Sequence, residues 1–149
     1  MVLHRFSVLE LKRGNLSTRH AHRVVVMQYY PRFLPKSSID ENIHALAPAR
    51  DLFTEFKAKA RECKDHNVAF ESIHYEQRFQ LSTEGLAHLE RLCEISKEKD
   101  VFLICQCGPL ERCHADLLLI TAKLTFGAQT QRLRCRYLQY EARLKKESL

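Results

Sequence analysis

The chain has 149 residues, 45% of them apolar and 28% charged, with a formal net charge of +6. That length is enough to bury one core, and the composition excludes a disordered, fibrous or collagen-like chain. The opening MVLHRFSVLELKRG lacks the continuous apolar stretch of a secretory signal, and no apolar run is long enough to cross a membrane.

In chain order, HRFSVLEL (4–11) sets His4, Phe6 and Val8 on one face and predicts a first strand. KRGNLSTRHAH (12–22) reads as a polar connection. RVVVMQYY (23–30), continuous and rich in β-branched and aromatic residues, predicts a strand covered on both faces. Pro31 ends it, and PRFLPKS is a loop with two prolines and two cations. Ser38 followed by Glu41 has capping-box spacing and predicts a helix over 39–47. After Pro48, residues 49–64 carry Leu52, Phe53, Phe56 and Ala60 at helical spacing. Residues 68–81 fit a helix face or a strand equally well. Ser82 or Thr83 caps a helix over 84–99. DVFLICQC (100–107) predicts a second strand buried on both faces, and ERCHADLLLITAKLTF (111–126) a helix apolar almost all round, closed by Gly127. In RLRCRYL (132–138) arginines alternate with Leu133, Cys135 and Tyr137, which fits an edge strand or a basic helix.

Buried strands separated by amphipathic helices imply a single small α/β domain, with a mostly parallel sheet and helices on both faces. Residues 1–126 supply that domain, and 127–149 a basic C-terminal extension packed on it or trailing it. Charge is uneven: residues 1–36 carry +6, residues 37–126 carry −4 and residues 127–149 carry +4. Six cysteines without a secretion signal fit a reducing compartment, so a cytoplasmic protein with free, metal-bound or reactive thiols is expected.

Ligands of parallel sheets sit beyond the carboxyl ends of the strands. That rule selects the loops 31–37 and 105–114. In the second, Cys105 and Cys107 leave the strand on the same face. Cys113 and His114 are neighbours on an opening helical turn and diverge by about 100°, which is awkward for one tetrahedral ion. Neither a metal ligand set nor a cofactor is predicted from this spacing. Cys107 opens the stretch CGPLER, which ends on Arg112; with Cys113 it would lie where helix amides favour a thiolate or an oxyanion. Cys105 continues the buried face of the strand, and Cys63, Cys93 and Cys135 read as core. His114, at a helix N-terminus, is expected to be neutral, serving either proton transfer or a cap.

Two stretches, RVVVMQYYPRFLPKSSIDENIHALAPARDLF and VFLICQCGPLERCHADLLLI, resemble the domain of unknown function 488 family, in particular its YeaO-like members. The resemblance runs from about residue 5 to 125. It rests on Pro31, Arg32 and Lys36, on Ala47-Pro48, and on the strand, loop and helix around His114. It implies a small α/β domain and no established reaction. It also implies a site that keeps Arg32 and His114, since some relatives lack the cysteines. Where relatives carry Cys-His-Arg, this chain has Cys113, His114 and Ala115; where they carry Asp-Arg it has Met27 and Gln28, and Phe33 stands in place of glycine.

The leading expectation is a pocket for an anionic group, a phosphate of a phosphate-containing small molecule such as a nucleotide or of a nucleic acid, in which Arg32, Lys36 and Arg112 bind the anion and Tyr29 or Tyr30 stacks or offers its hydroxyl. His114, Cys107 and Cys113 are the candidate catalytic groups, and both hydrolysis and group transfer fit. The alternative is a nucleic-acid-binding module built from Arg13, Arg19, Arg23, Arg132, Arg134 and Arg136 with Tyr137 and Tyr140. A third reading gives the cysteine cluster a metal or redox role. No membrane partner is expected.

Overall fold

A computed structural model describes residues 1–13 and 20–147. The polar connection expected over 12–22 therefore lies mostly outside the described residues, as does Arg19. The elements in chain order are β1 (Leu3–Ser7), α1 (Val8–Lys12), β2 (His22–Val25), β3 (Glu41–Asn42), α2 (Arg50–Cys63), α3 (His66–Ser72), α4 (Tyr75–Arg78), α5 (Thr83–Ile95), β4 (Val101–Cys105), α6 (His114–Phe126) and α7 (Leu138–Glu147). Short 3-10 turns at Lys36–Ser38 and His44–Leu46 flank β3.

The four strands form one sheet in the order β1-β4-β2-β3, and every pairing is parallel. Leu3 pairs with Val101 and Ser7 with Cys105, while Val24 pairs with Leu103 and Glu41. Leu3, Val24, Val101 and Leu103 face the main core, which they share with Phe56, Phe70, Leu89, Leu92, Leu117, Tyr137 and Tyr140. On the other face, Val25 and Ile104 meet Val8 of α1 and Leu34, with Leu11, Tyr30 and Ile39 around them. The sheet is an α/β core with unequal layers: α2 to α7 supply the thick one, while α1 and the 30–39 loop supply the thin one. Residues beyond 127 are built into it, since Leu3 N–H donates to the Gln129 carbonyl and Tyr137 is fully buried.

Several local expectations change. The first strand stops at Ser7, whose hydroxyl accepts the Leu9 N–H at 3.3 Å and starts α1 in its place. The 23–30 strand ends at Val25, although Val26 N–H still reaches the Ile104 carbonyl at 3.1 Å. No α-helix covers 39–47. The Glu41 carboxylate that would complete a capping box is held by Arg91 at 2.7 and 2.9 Å and by His22, and Glu41–Asn42 pairs with β2 instead. The ambiguous 68–81 stretch is helical, broken where His74 adopts φ +58°. Residues 132–137 form neither strand nor helix: α7 begins at Leu138, and the exposed arginines alternate with inward residues without a strand partner.

Arg91 and His22 hold the Glu41 carboxyl below the usual carboxylate range, against the opposing effect of burial. A lowered folded pKa gives stability that is complete above the unfolded value of 4.5 and is lost as pH falls through the folded one. The pair is partly exposed, so its contribution at neutral pH is below about 1 kcal/mol. In thermal melts taken from neutral pH down to about pH 3, Glu41→Gln should lose less stability on acidification than the wild type. Parallel curves for the two proteins would show that Glu41 carries none of the acid sensitivity.

Candidate functional site

Beyond the carboxyl ends of β2 and β4 lies a cavity of about 420 Å³. One wall is aromatic: Tyr29, Phe53, Phe56, Phe70 and Tyr75 line it, with Phe70 stacked on Tyr75 at 4.3 Å between ring centroids. The polar side carries Lys57, His66, Glu111 and Arg112, and the floor carries Cys107, Cys113 and His114. A concave, largely apolar space with few convergent polar groups is the usual form of a small-molecule site.

The floor is set by the start of α6. Cys113 occupies the N-cap position with extended backbone, and its Sγ accepts the Ala115 N–H at 3.4 Å. His114 Nδ1 lies 3.7 Å from the same sulfur, while its Nε2 donates to the Val26 carbonyl at 2.6 Å. That carbonyl can only accept, so the ring proton is assigned to Nε2 and the lone pair of Nδ1 faces Cys113. Burial lowers the His114 pKa and keeps the imidazole neutral. Behind Cys113 sits Arg5, which donates to Asp116 Oδ2 at 2.8 Å and to the Gly108 carbonyl.

Cys105, Cys107 and Cys113 pack together with Ala115 in one cluster, and all six cysteines are free. Burial alone would raise Cys113. The adjacent Cys105 and Cys107 thiols, the positive charge of Arg5 and the Ala115 amide together pull it well below the ordinary thiol range. The cost falls on its neighbours. Cys107 is raised well above that range by the two neighbouring sulfurs and by burial. Cys105, although Cys107 beside it lowers its pKa, is pushed up to about 12 by Cys113 and burial.

The structure brings His114, Cys107, Cys113 and Arg112 to this cavity. Arg112 is already committed: its guanidinium donates to the Arg136 carbonyl at 2.7 Å, pairs with Glu71 and lies over the Tyr137 ring. Arg32, Lys36 and Tyr30 do not line the cavity. Their loop turns onto the opposite face of the sheet, because Tyr30 and Leu34 pack with Val8, Val25 and Ile104. Arg32 and Lys36 are exposed there. Tyr137 and Tyr140 are buried, so neither can stack on a nucleic-acid base alongside Arg132, Arg134 and Arg136. The groups not foreseen are Arg5, Lys57, His66 and Glu111. Arg5 did leave a signal, as a cation on the same strand face as Leu3. His66 left none, since it sits in the short link between the predicted 49–64 helix and the ambiguous 68–81 stretch.

The family model described as "Active DUF488-N3 subclade" matches residues 8–123, a span that contains every residue lining the cavity. Neither the curated proteins nor the solved structures compared with the chain gave a match. On the strength of that span, the chain belongs to the DUF488 family.

Proposed function

We propose that the cavity is the active site of a thiol-dependent hydrolase or transferase for a phosphate-containing small molecule, a nucleotide being the simplest case. The observation that carries this reading is the line Cys113 Sγ, His114 Nδ1, His114 Nε2 and Val26 carbonyl, opening onto an aromatic-walled space. A nucleophile, a base within reach and a third group that orients the base form the arrangement of covalent catalysis. The aromatic wall suits a planar ring, and Lys57, whose Nζ lies over the Phe53 ring at 5.6 Å, supplies a cation on the same side.

The test is labelling of the folded chain with a small haloacetamide, read by peptide mass spectrometry with and without adenosine monophosphate. Cys113 should react about tenfold or more faster than the half-buried Cys63 and Cys135, and the nucleotide should slow it. His114→Asn should remove the rate advantage, and Lys57→Ala should weaken the protection. If Cys113 stays inert while the other cysteines label, the thiol role is wrong. If nucleotide leaves the rate unchanged, the substrate class is wrong.

A further inference from the structure

His66, Cys107 and Glu111 meet at the cavity from two separate parts of the chain. Their ligand-type atoms all lie within 4.8 Å of one another, and His66 Nδ1 is 3.4 Å from Glu111 Oε2. The other ring nitrogen, Nε2, bonds to the Arg112 carbonyl at 2.7 Å. Because a carbonyl accepts only, Nε2 carries a proton in that bond, and Nδ1 is left turned toward the carboxylate of Glu111.

The same groups are held by further contacts. Glu111 Oε1 accepts the Gly108 N–H at 2.6 Å, and the Glu111 N–H returns to the Gly108 carbonyl at 3.1 Å. This tight turn puts the Cys107 and Glu111 side chains on one side. The His66 ring packs edge-on against Phe56, with centroids 4.9 Å apart. Contacts that fix the orientation of an imidazole and a carboxylate in this way are those that support metal ligands.

We infer that His66 Nδ1, Cys107 Sγ and Glu111 Oε2 form a site for a divalent transition-metal ion, zinc by its ligand chemistry, with a further position open to the cavity. Three protein ligands with one vacant position is the pattern of catalytic rather than structural zinc. The thiol and imidazole exclude magnesium and calcium as the natural occupants. A thiolate and a carboxylate would balance the two positive charges of the ion. An ion here would sit beside the Cys113–His114 pair, where it could hold the anionic end of a ligand that Arg32 and Lys36 do not reach. The ligand set draws on neither Cys113 nor His114, so it stands whether or not Cys113 is a nucleophile.

The test uses the full chain, stripped by a chelator and then titrated with Zn²⁺ alone by calorimetry and with Co²⁺ alone by absorption. One equivalent per chain is expected, with a thiolate-to-cobalt charge-transfer band. His66→Ala, Glu111→Gln and Cys107→Ser should each weaken zinc by at least about tenfold. Cys107→Ser should also abolish the band, and Cys135→Ser should leave both readouts intact. Glu111→Gln keeps the acceptor for Gly108 N–H, so it separates loss of the ligand from loss of the fold. Absence of stoichiometric uptake overturns the site. So does uptake that survives Glu111→Gln and His66→Ala but disappears with Cys105→Ser, which would place the ion on the three thiols. Nucleotide protection of Cys113 is measured without metal, so either result can fail alone.

Discussion

Replacing Arg5 by methionine should destabilise the protein by about 3–5 kcal/mol, measured as a fall in the midpoint of urea unfolding at unchanged slope. The Arg5 and Asp116 side chains are only 6% and 4% exposed, and they meet at 2.8 Å. The Tyr137 hydroxyl donates to the same carboxylate oxygen at 2.6 Å and accepts the Cys113 N–H at 3.1 Å. One buried chain of polar groups therefore ties β1 to α6, to the segment before α7 and to the backbone of the candidate nucleophile. Burial pushes the Asp116 carboxyl above its ordinary range against the pull of Arg5 and Tyr137, so the intact pair adds little net stability. Removing only the cation is different, because it leaves a nearly buried carboxylate without its charge partner. Arg5→Met combined with Asp116→Leu should recover most of the loss, which separates the stranded charge from lost packing. A single replacement that costs less than about 1 kcal/mol would mean that water or a shifted side chain rescues Asp116.

Phe70→Ala should be comparably severe, at about 3–5 kcal/mol. Phe70 is 1% exposed, stacks on Tyr75, and meets Phe56 and Tyr137 edge-on at 6.3 and 6.0 Å. It also lines the cavity, so its ring is shared between the core and the site wall. Truncation there removes a core side chain and enlarges a space that is already open. The neighbours would close over that space only by moving the wall itself. Equilibrium unfolding gives the energy, and protection of Cys113 by nucleotide should be lost in the same variant. A change below about 1 kcal/mol would show that the aromatic cluster repacks without Phe70.

The parts of the fold set by local chemistry were legible in the sequence. The strand at Val101–Cys105, the helix ended by Gly127 and the Ser82 cap all follow from periodicity and terminal residues. Glu41 was misread because its spacing from Ser38 is a local signal, whereas Arg91 and His22, which claim its carboxylate, come from elsewhere in the chain. The site divided the same way. The β4 loop was found because the rule for parallel sheets names the strand ends, and it delivered Cys107, Cys113 and His114. That rule does not say which side of the sheet a loop will take. Tyr30 and Leu34 decide it for the other loop, carrying Arg32 and Lys36 away from the cavity. Lys57 and His66 reach the site through helix packing, and nothing in their own segments marks that destination.

The strand order has a further consequence, for how the protein is made. In the sheet, β4 lies between β1 and β2, yet along the chain it follows both, after α1 to α5. During synthesis the first two strands therefore wait for their shared neighbour, with hydrogen-bonding edges exposed to wrong partners. Closing so long a loop is entropically slow, so β4 docking is a natural late step in folding. The same segment carries Cys107, Cys113 and His114 into place directly behind it. A nascent chain halted before Val101 would possess helices, the β2–β3 pair and a β1 strand with nothing to join it to that pair, but no thiol floor for the cavity.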